Sequence, residues 1–332
     1  MQPRYTMERK HWIDLLRGIC MLAILLFHTD VYCANGGVVE YKLYVSNALV
    51  LFFTLSGYLM YKEQEFCLRK KLLSIARGIL LPYFIFTLLM AIPKALVHGN
   101  EVNIANILVP ILSGKASWFV ATLCLAEILF SVMIRLSNGK TTVLGIMCIV
   151  SFVVSMYIPE SDEAYFWETD NALQALLFLF AGYFYHKHEH IADRYLRTPY
   201  SLPILFILLV AIKVYECRSG VHIIIFPIRI SNYVVFLADM LVGSLFLIYL
   251  CKKLPACKWI EWVGTHSLVY YFVCGGVPLL TGKLFEKAGL TYKGNYAIVL
   301  LGFVVVCLVS TCIVWFIYRY LPFMTGKKLK KE

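Results

Sequence analysis

The feature that most constrains this chain is a series of long apolar segments separated by short polar loops. Hydrophobic residues make up 60% of its 332 positions, and the mean hydropathy is +0.73. Such a chain is too apolar for a soluble domain, and about 20 apolar residues in a helix cross a bilayer. We therefore predict an all-α, polytopic membrane protein with about ten transmembrane helices. The predicted segments are residues 12–32, 42–61, 78–97, 117–135, 141–158, 171–186, 200–217, 230–251, 262–282 and 295–318.

Lysine and arginine residues indicate the orientation of these segments. They are concentrated in the N-terminus, in alternate loops and in the C-terminal tail, and the positive-inside rule assigns such segments to the cytoplasm. We predict a cytoplasmic segment over 1–11, a transmembrane domain over 12–320 and a basic cytoplasmic tail over 321–332. Both termini are thus expected in the cytoplasm.

Two loops on the opposite side carry further expectations. The acidic run Glu160 to Glu163, followed by Glu168 and Asp170, is predicted to form a solvated outer loop. The segment from His98 to Ala116 is long and only moderately apolar, so Ile104 to Leu112 are predicted to form a re-entrant or surface helix rather than an eleventh span.

Charge and cysteine content exclude several classes of function. The formal charge is +11, but the basic residues cluster at segment ends without the interleaved aromatic residues of a strand-binding surface. Anionic lipid and a phosphate-bearing substrate are therefore expected partners, and nucleic acid is not. The eleven cysteines lie mostly inside apolar segments, which is typical of small buried residues. His186 and His190 share a helical face beside other charges, and no metal site is expected there.

The stretch from Trp12 to His28 in the first apolar segment carries Asp14, Arg17 and His28. Eleven residues separate Arg17 from His28, which is three helical turns plus roughly 20°, so both side chains leave the helix on nearly one face. They are about 16 Å apart along the axis. Ionisable groups inside a span are costly and usually functional. The alternative is an Asp14–Arg17 pair near the interface, with the arginine extended toward water.

Short motifs follow one another in a fixed order along most of the chain. The first is Asp14-x-x-Arg17-Gly18 with its later His28. The others are Phe52-Phe53-x-x-Ser56-Gly57, Leu81-Pro-Tyr83, Ser117-Trp-Phe119, Phe178-x-x-x-Gly182 and Gly264-x-x-Ser267-Leu268-x-x-Tyr271. Together they resemble the acyltransferase 3 family of integral-membrane enzymes, which transfer acyl groups from acyl-CoA to extracytoplasmic acceptors. One departure is Cys274, where many members carry a histidine.

Transfer of an acyl group from a thioester to a hydroxyl requires a base and a group that stabilises the carbonyl oxygen. His28 is predicted to be the catalytic base. Glu127, an isolated acid in the segment opened by Trp118, is the second predicted catalytic residue, which orients either His28 or an acceptor hydroxyl. Arg17, with Asp14 beside it, is predicted to bind the phosphates of the donor.

A basic loop and a small-residue pair complete the predicted donor site. The loop residues Arg69, Lys70 and Lys71, with Arg77, offer a cationic rim for nucleotide phosphates, although a positive-inside signal explains the same charges. Ser56 and Gly57 could let the backbone approach the thioester, and close helix packing is the alternative.

The resemblance implies an O-acetyltransferase of the bacterial inner membrane. Its donor would be acetyl-CoA from the cytoplasm, and its acceptor an extracytoplasmic carbohydrate or glycan, with the lipid bilayer as surroundings. The competing hypothesis is a transporter or flippase, because buried arginine, histidine and acidic residues also line substrate and proton paths. Related halves are common in transporters, and this chain shows no internal similarity, which favours the enzyme.

Overall fold

The computed structural model describes residues 10–63, 66–98, 103–161 and 163–326, and over 92–98 it describes the backbone alone. Most of the predicted terminal segments, namely residues 1–9 and 327–332, lies outside the described part of the chain. Within it the fold is nearly all helical, as the apolar pattern predicts. One short antiparallel hairpin, β1 (Ile223–Ile224) with β2 (Arg229–Ile230), pairs Ile223 with Ile230.

The helices follow the chain in this order: α1 His11–Cys33, α2 Val45–Met60, α3 Leu68–Ile75, α4 Leu81–His98, α5 Ile104–Leu112, α6 Trp118–Leu136, α7 Thr141–Met156, α8 Thr169–Lys187, α9 Glu189–Leu196, α10 Ser201–Arg218, α11 Tyr233–Lys253, α12 Lys258–Thr265, α13 Ser267–Val273, α14 Gly276–Lys287 and α15 Ala297–Tyr320. A π-helical turn, Ala76–Leu80, joins α3 to α4. Short 3₁₀ turns lie at Tyr41–Leu43, Phe166–Glu168 and Pro322–Thr325.

Every predicted apolar segment overlaps a helix. By length and composition, five helices in the described residues can cross a membrane: His11–Cys33, Leu68–Ala91, Trp118–Leu136, Tyr233–Lys253 and Ala297–Tyr320. The number rises to seven when each of two bent helix pairs counts as one span. Helices α2 and α7 are apolar but shorter. The count of ten spans therefore stays a prediction.

One predicted segment is broken in the structure, and one predicted helix is confirmed. The segment predicted over 262–282 is divided into α12, α13 and α14, with a bend of 44° between the last two. The helix predicted over Ile104 to Leu112 is confirmed as α5, and its nine residues reach only about 14 Å, less than a bilayer core.

The predicted solvated outer loop is only partly correct. Glu160 and Glu163 are exposed, as expected for solvated acids. Glu168, in contrast, is 0% exposed. It lies in the 3₁₀ turn that leads into α8, where the chain folds back against the helices instead of continuing into water.

Helix α1 lies at the centre of the bundle and packs against α2, α11, α12, α14 and α15. Its apolar residues Leu16, Met21 and Leu25 are fully buried. Glycines bring two helix pairs into close contact. An ideal Cβ on Gly264 of α12 would lie 1.9 Å from the Asp14 carbonyl oxygen, and one on Gly182 of α8 would lie 1.7 Å from the Thr54 carbonyl oxygen. Only glycine permits such close approach of two backbones.

The two ends of the bundle are named by helix α1. The near side is the end where α1 begins, and there Lys10 meets Tyr58 from the end of α2 and Glu189 from the start of α9. The far side is the end where α1 finishes. There Lys213 from α10 bonds to the Lys42 carbonyl before α2 and to Asp239 near the start of α11.

Candidate functional site

The near half of the bundle contains a buried cluster of Glu127, Ser56 and Lys71. Glu127 lies midway along α6 and is 6% exposed, among otherwise apolar neighbours. The Ser56 hydroxyl, from the last turns of α2, donates a hydrogen bond to Glu127 Oε1. Lys71 Nζ, from the first turn of α3, donates to Glu127 Oε2 over 2.7 Å. Ser56 and Lys71, which the sequence places in separate motifs, therefore meet at the carboxylate of Glu127.

This cluster balances charge inside an apolar surrounding. A buried carboxylate is costly unless it is paired and hydrogen-bonded, and both oxygens of Glu127 have a donor. Lys71 is 25% exposed, so the pair lies where the bundle opens toward the near side. The arrangement can hold a hydroxyl against a carboxylate. It also ties α2, α3 and α6 together.

The other basic residues of the predicted rim are separate from this cluster. Arg69, Lys70 and Arg77 are exposed on the near side. The backbone at Arg77 packs on the C-terminal turn, because an ideal Cβ on Gly326 would lie 1.9 Å from the Arg77 carbonyl oxygen. The exposed side chains remain able to meet an anionic ligand or lipid. Lys71 is engaged with Glu127, so a phosphate would have to compete with that carboxylate.

Gly57 serves close packing in the structure. An ideal Cβ on this residue would lie 1.9 Å from the Leu179 carbonyl oxygen of α8. This is the packing alternative that the sequence left open for the Ser56-Gly57 pair. Ser56 itself faces α6 and Glu127, so the two neighbours have different surroundings.

Asp14 and Arg17 lie at the crossing of α1 and α12. Asp14 is buried and Arg17 half-buried, and both side chains have interaction partners. The crossing is close because Gly18 faces the Ile260 carbonyl oxygen, at 2.0 Å from an ideal Cβ, and Gly264 faces the Asp14 carbonyl oxygen. The motif glycines thus fix the helix turn that carries Arg17.

His28 lies toward the far end of α1. Its half-buried imidazole packs edge-on against Phe27, with ring centroids 5.6 Å apart, and near Tyr32 at 6.5 Å. Among the described residues, no hydrogen bond to the imidazole is formed. The ring is therefore held by aromatic packing, and its nitrogens are available to a ligand.

His28 and Glu127 are at different depths in the bundle. Tyr44, just before α2, lies within electrostatic range of Asp30, which is two residues beyond His28. From Tyr44 to Ser56, α2 rises about 18 Å toward the near side. Because Ser56 bonds directly to Glu127, this carboxylate lies far from the imidazole. Within the described residues no hydrogen bond or ion pair joins Glu127 to His28, and the catalytic role of Glu127 stays a prediction.

A larger polar network closes the near side, and no sequence motif predicted it. Glu189 accepts hydrogen bonds from Lys10, Tyr58 and Lys252 at 2.6 to 2.7 Å. Burial acts to raise the pKa of Glu189, but these three donors outweigh burial and lower it to about 2. Lys252 also donates to Asp193. The network joins the ends of α1, α2 and α11 to α9. In the sequence, its signal is the presence of charged residues at the ends of these segments.

The far half contains a second buried pair. Lys213 Nζ donates to Asp239 Oδ2 over 2.6 Å and lies 3.5 Å from Glu216 Oε2. Both acids are fully buried. Asn47 of α2 donates to the Asp239 carbonyl oxygen at 3.3 Å. Asp239 is therefore paired with Lys213, and its contacts with Lys213 and Asn47 connect α11 to α10 and α2.

Comparison with known proteins provides the family. Searches of curated proteins and of solved structures gave no significant match. The model of the acyltransferase 3 family, described as an acyltransferase domain, matches residues 10–319, nearly the whole chain. The match includes α1 with Arg17 and His28, the Ser56–Glu127–Lys71 cluster and the α1–α12 crossing. The chain therefore belongs to the acyltransferase 3 family and has the apolar helices of a membrane acyltransferase.

Proposed function

We propose that this protein is an O-acyltransferase that moves an acetyl group from cytoplasmic acetyl-CoA to a hydroxyl of an extracytoplasmic carbohydrate. The observation that carries the proposal is the family match together with helix α1, which presents Arg17 and His28 at two depths of one buried helix. The near side would face the cytoplasm of a bacterial inner membrane, in agreement with its lysine and arginine residues.

The proposed roles follow from the chemistry of each side chain. His28 takes the proton of the acceptor hydroxyl while its oxygen attacks the thioester carbonyl carbon. The carbon–sulfur bond then breaks, and the CoA thiolate leaves and takes up a proton. Arg17, set by Asp14 and the α1–α12 crossing, binds donor phosphates through its planar guanidinium.

The near-side cations complete the proposed donor site. Arg69, Lys70 and Arg77 form its exposed rim, and Lys71 would join them only by exchanging Glu127 for a phosphate. Ser56 and Glu127 are buried beside Lys71, which adjoins this rim in the chain. Their proposed role is to hold a polar group of the donor inside the near half.

The test is transfer by the purified protein. With radiolabelled acetyl-CoA and candidate glycans, we expect release of CoA and appearance of label on the glycan. The His28→Ala variant should lose transfer while keeping its thermal transition. A transporter or flippase would give neither CoA release nor a labelled glycan, so this result would favour the alternative function.

Arg17 is tested by the same assay and by binding. Arg17→Lys should weaken CoA binding by roughly tenfold or more, because the ammonium lacks the guanidinium fork. Arg135→Lys is the matched control, since Arg135 is exposed at the near end of α6. Equal CoA affinity of both variants and the unmodified protein would contradict a donor-binding role for Arg17.

A further inference from the structure

The far side contains a polar cavity that the proposed function does not use. Its volume is about 150 Å³, smaller than the roughly 300–1,000 Å³ of pockets for drug-sized ligands. It lies between the end of α7, the turn before α8 and the loop that precedes α11. Six of the lining residues indicate a ligand site: Glu160, Glu163, Glu168, Asp170, Phe226 and Tyr233.

Glu168 is the buried member of this lining. It is 0% exposed; the Asn171 side chain lies beside its carboxylate, but within the described residues neither oxygen has a hydrogen bond of regular geometry. Asp170 Oδ1 is buried and has no hydrogen bond there either. Burial raises the pKa of Glu168 to about 7, and the Asp170 charge adds to this. A carboxyl group in this state costs free energy until a donor reaches it.

Glu168 is held at the cavity by a strained backbone conformation. Trp167 and Glu168 have φ values of 51° and 53°, in the left-handed region that side chains other than glycine rarely adopt. Trp167 is held by two hydrogen bonds, from its backbone N–H to the Ser113 carbonyl at 2.8 Å and from Nε1 to the Leu112 carbonyl at 2.9 Å. Such strain persists only where surrounding contacts hold it, and it is common at ligand sites.

The chemistry of the lining favours a cation. Four carboxyl residues contribute to it, and no lysine or arginine is among its described residues. Lys115 is nearby, where it lies 3.5 Å from Glu163. Two aromatic rings, Phe226 and Tyr233, can also face a cation. The Phe226 ring is fixed by stacking on Trp118 at 4.7 Å.

An organic ammonium fits these features better than a metal ion. No three ligating side chains in the described ranges converge closely enough to hold a metal. An ammonium group has three donors for separate acceptors, and the cavity has room for a small carbon skeleton beside it. We propose that this far-side cavity binds the primary ammonium group of a small organic ligand, with Glu168 and Asp170 as its acceptors. This site is distinct from the acyl-transfer residues and does not depend on their assignment.

Isothermal titration calorimetry with a matched pair of probes tests the proposal. Ethanolamine and ethylene glycol differ in that an ammonium replaces a hydroxyl. At about pH 8, in a buffer free of primary amines, Glu168 is mostly ionised, and ethanolamine should bind roughly tenfold or more tighter than ethylene glycol. Equal affinities would overturn the proposal. So would binding of calcium ions in place of ethanolamine.

Variants locate the binding to the cavity. Glu168→Gln should lower the ethanolamine affinity by roughly tenfold, whereas Glu286→Gln, at an exposed acid on the same side, should leave it within about twofold. Asp170→Asn gives a second measurement if Glu168→Gln does not fold, with loss of affinity again expected. Unchanged affinity in a folded cavity variant would overturn the assignment. Because the readout is binding, a failure here is distinguishable from a failure of acyl transfer.

Discussion

At the scale of single residues, the structure distinguishes neighbours that the sequence treats alike. Lys70 and Lys71 are adjacent in one basic run, yet Lys70 is exposed and Lys71 contacts a buried carboxylate. The same holds for Ser56 and Gly57, since the hydroxyl meets Glu127 and the glycine meets α8. A helix turns by about 100° per residue, so adjacent residues face different partners. Their substitution should therefore have different effects.

Replacement of Lys71 should destabilise the protein. Lys71→Met leaves Glu127 buried without its cation, which we expect to cost about 1–3 kcal/mol of unfolding free energy. Lys70→Met is the matched control and should be nearly neutral. Chemical unfolding in detergent measures both. Adding Glu127→Gln to Lys71→Met should restore part of the loss, and equal effects of the two lysine variants would contradict a buried pair.

At the scale of helices, glycines decide which elements approach each other. The crossing of α1 and α12 uses Gly18 and Gly264, and the crossing of α2 and α8 uses Gly57 and Gly182. Both crossings lie beside candidate site residues, Arg17 in the first and Ser56 in the second. Because backbones meet there directly, even one added methyl group must separate two helices.

Gly264→Ala should disturb the site without touching a charged group. The new Cβ would overlap the Asp14 carbonyl, so α12 must move away from α1, at a cost of roughly 1–3 kcal/mol. We also expect weaker CoA binding, because Arg17 lies on the turn of α1 against which α12 packs. Gly275→Ala is the control, since no atom lies within 4 Å of an ideal Cβ there. Thermal unfolding and CoA titration measure the effects. A Gly264 variant as stable as its control would argue against tight packing at this crossing.

At the scale of the whole molecule, charged networks join segments distant in the chain. Glu189 links Lys10, Tyr58 and Lys252, and thereby holds four helix ends on the near side. The far side has its own pair, Lys213 with Asp239. A change at one of these acids should therefore affect the cohesion of an entire end of the bundle.

Acid should weaken the near side through Glu189. Its pKa is lowered from 4.5 to about 2, so its contribution to stability is complete above about pH 4.5 and is lost as the pH falls through 2. At 1.36 kcal/mol per unit the contribution is about 3 kcal/mol. Between pH 4.5 and 2, the thermal transition temperature should fall more steeply for the unmodified protein than for Glu189→Gln. Glu63→Gln, at an exposed near-side acid, is the control. Parallel curves for Glu189→Gln and the unmodified protein would rule this contribution out.

Natural cysteines test the orientation of the whole bundle. Cys67 is exposed on the near side before α3, and Cys217 is exposed at the far end of α10. With the near side in the cytoplasm, a membrane-impermeant maleimide should label Cys217 in intact cells and Cys67 only after permeabilisation. Peptide mass spectrometry reads out both sites. The reverse pattern would invert the topology, and with it the direction proposed for acyl transfer.

The sequence by itself determined the helical class, the positions of the apolar segments and the family. These properties are local: apolar runs favour helices in a bilayer, and the motifs keep their order regardless of how the helices pack. It also put Arg17 and His28 on one helix, because their spacing of eleven residues is fixed by helical geometry.

Only the tertiary structure decided which of the selected residues meet. Lys71 and Glu127 are 56 residues apart, and their contact depends on α3 lying beside α6, which hydrophobicity along the chain does not encode. Glu168 belongs to an acidic loop that sequence alone predicts to be solvated, and folding buried it because Trp167 is held against Ser113 and Leu112. The contacts within α1 were predictable because one helix makes them, whereas those between helices follow from packing.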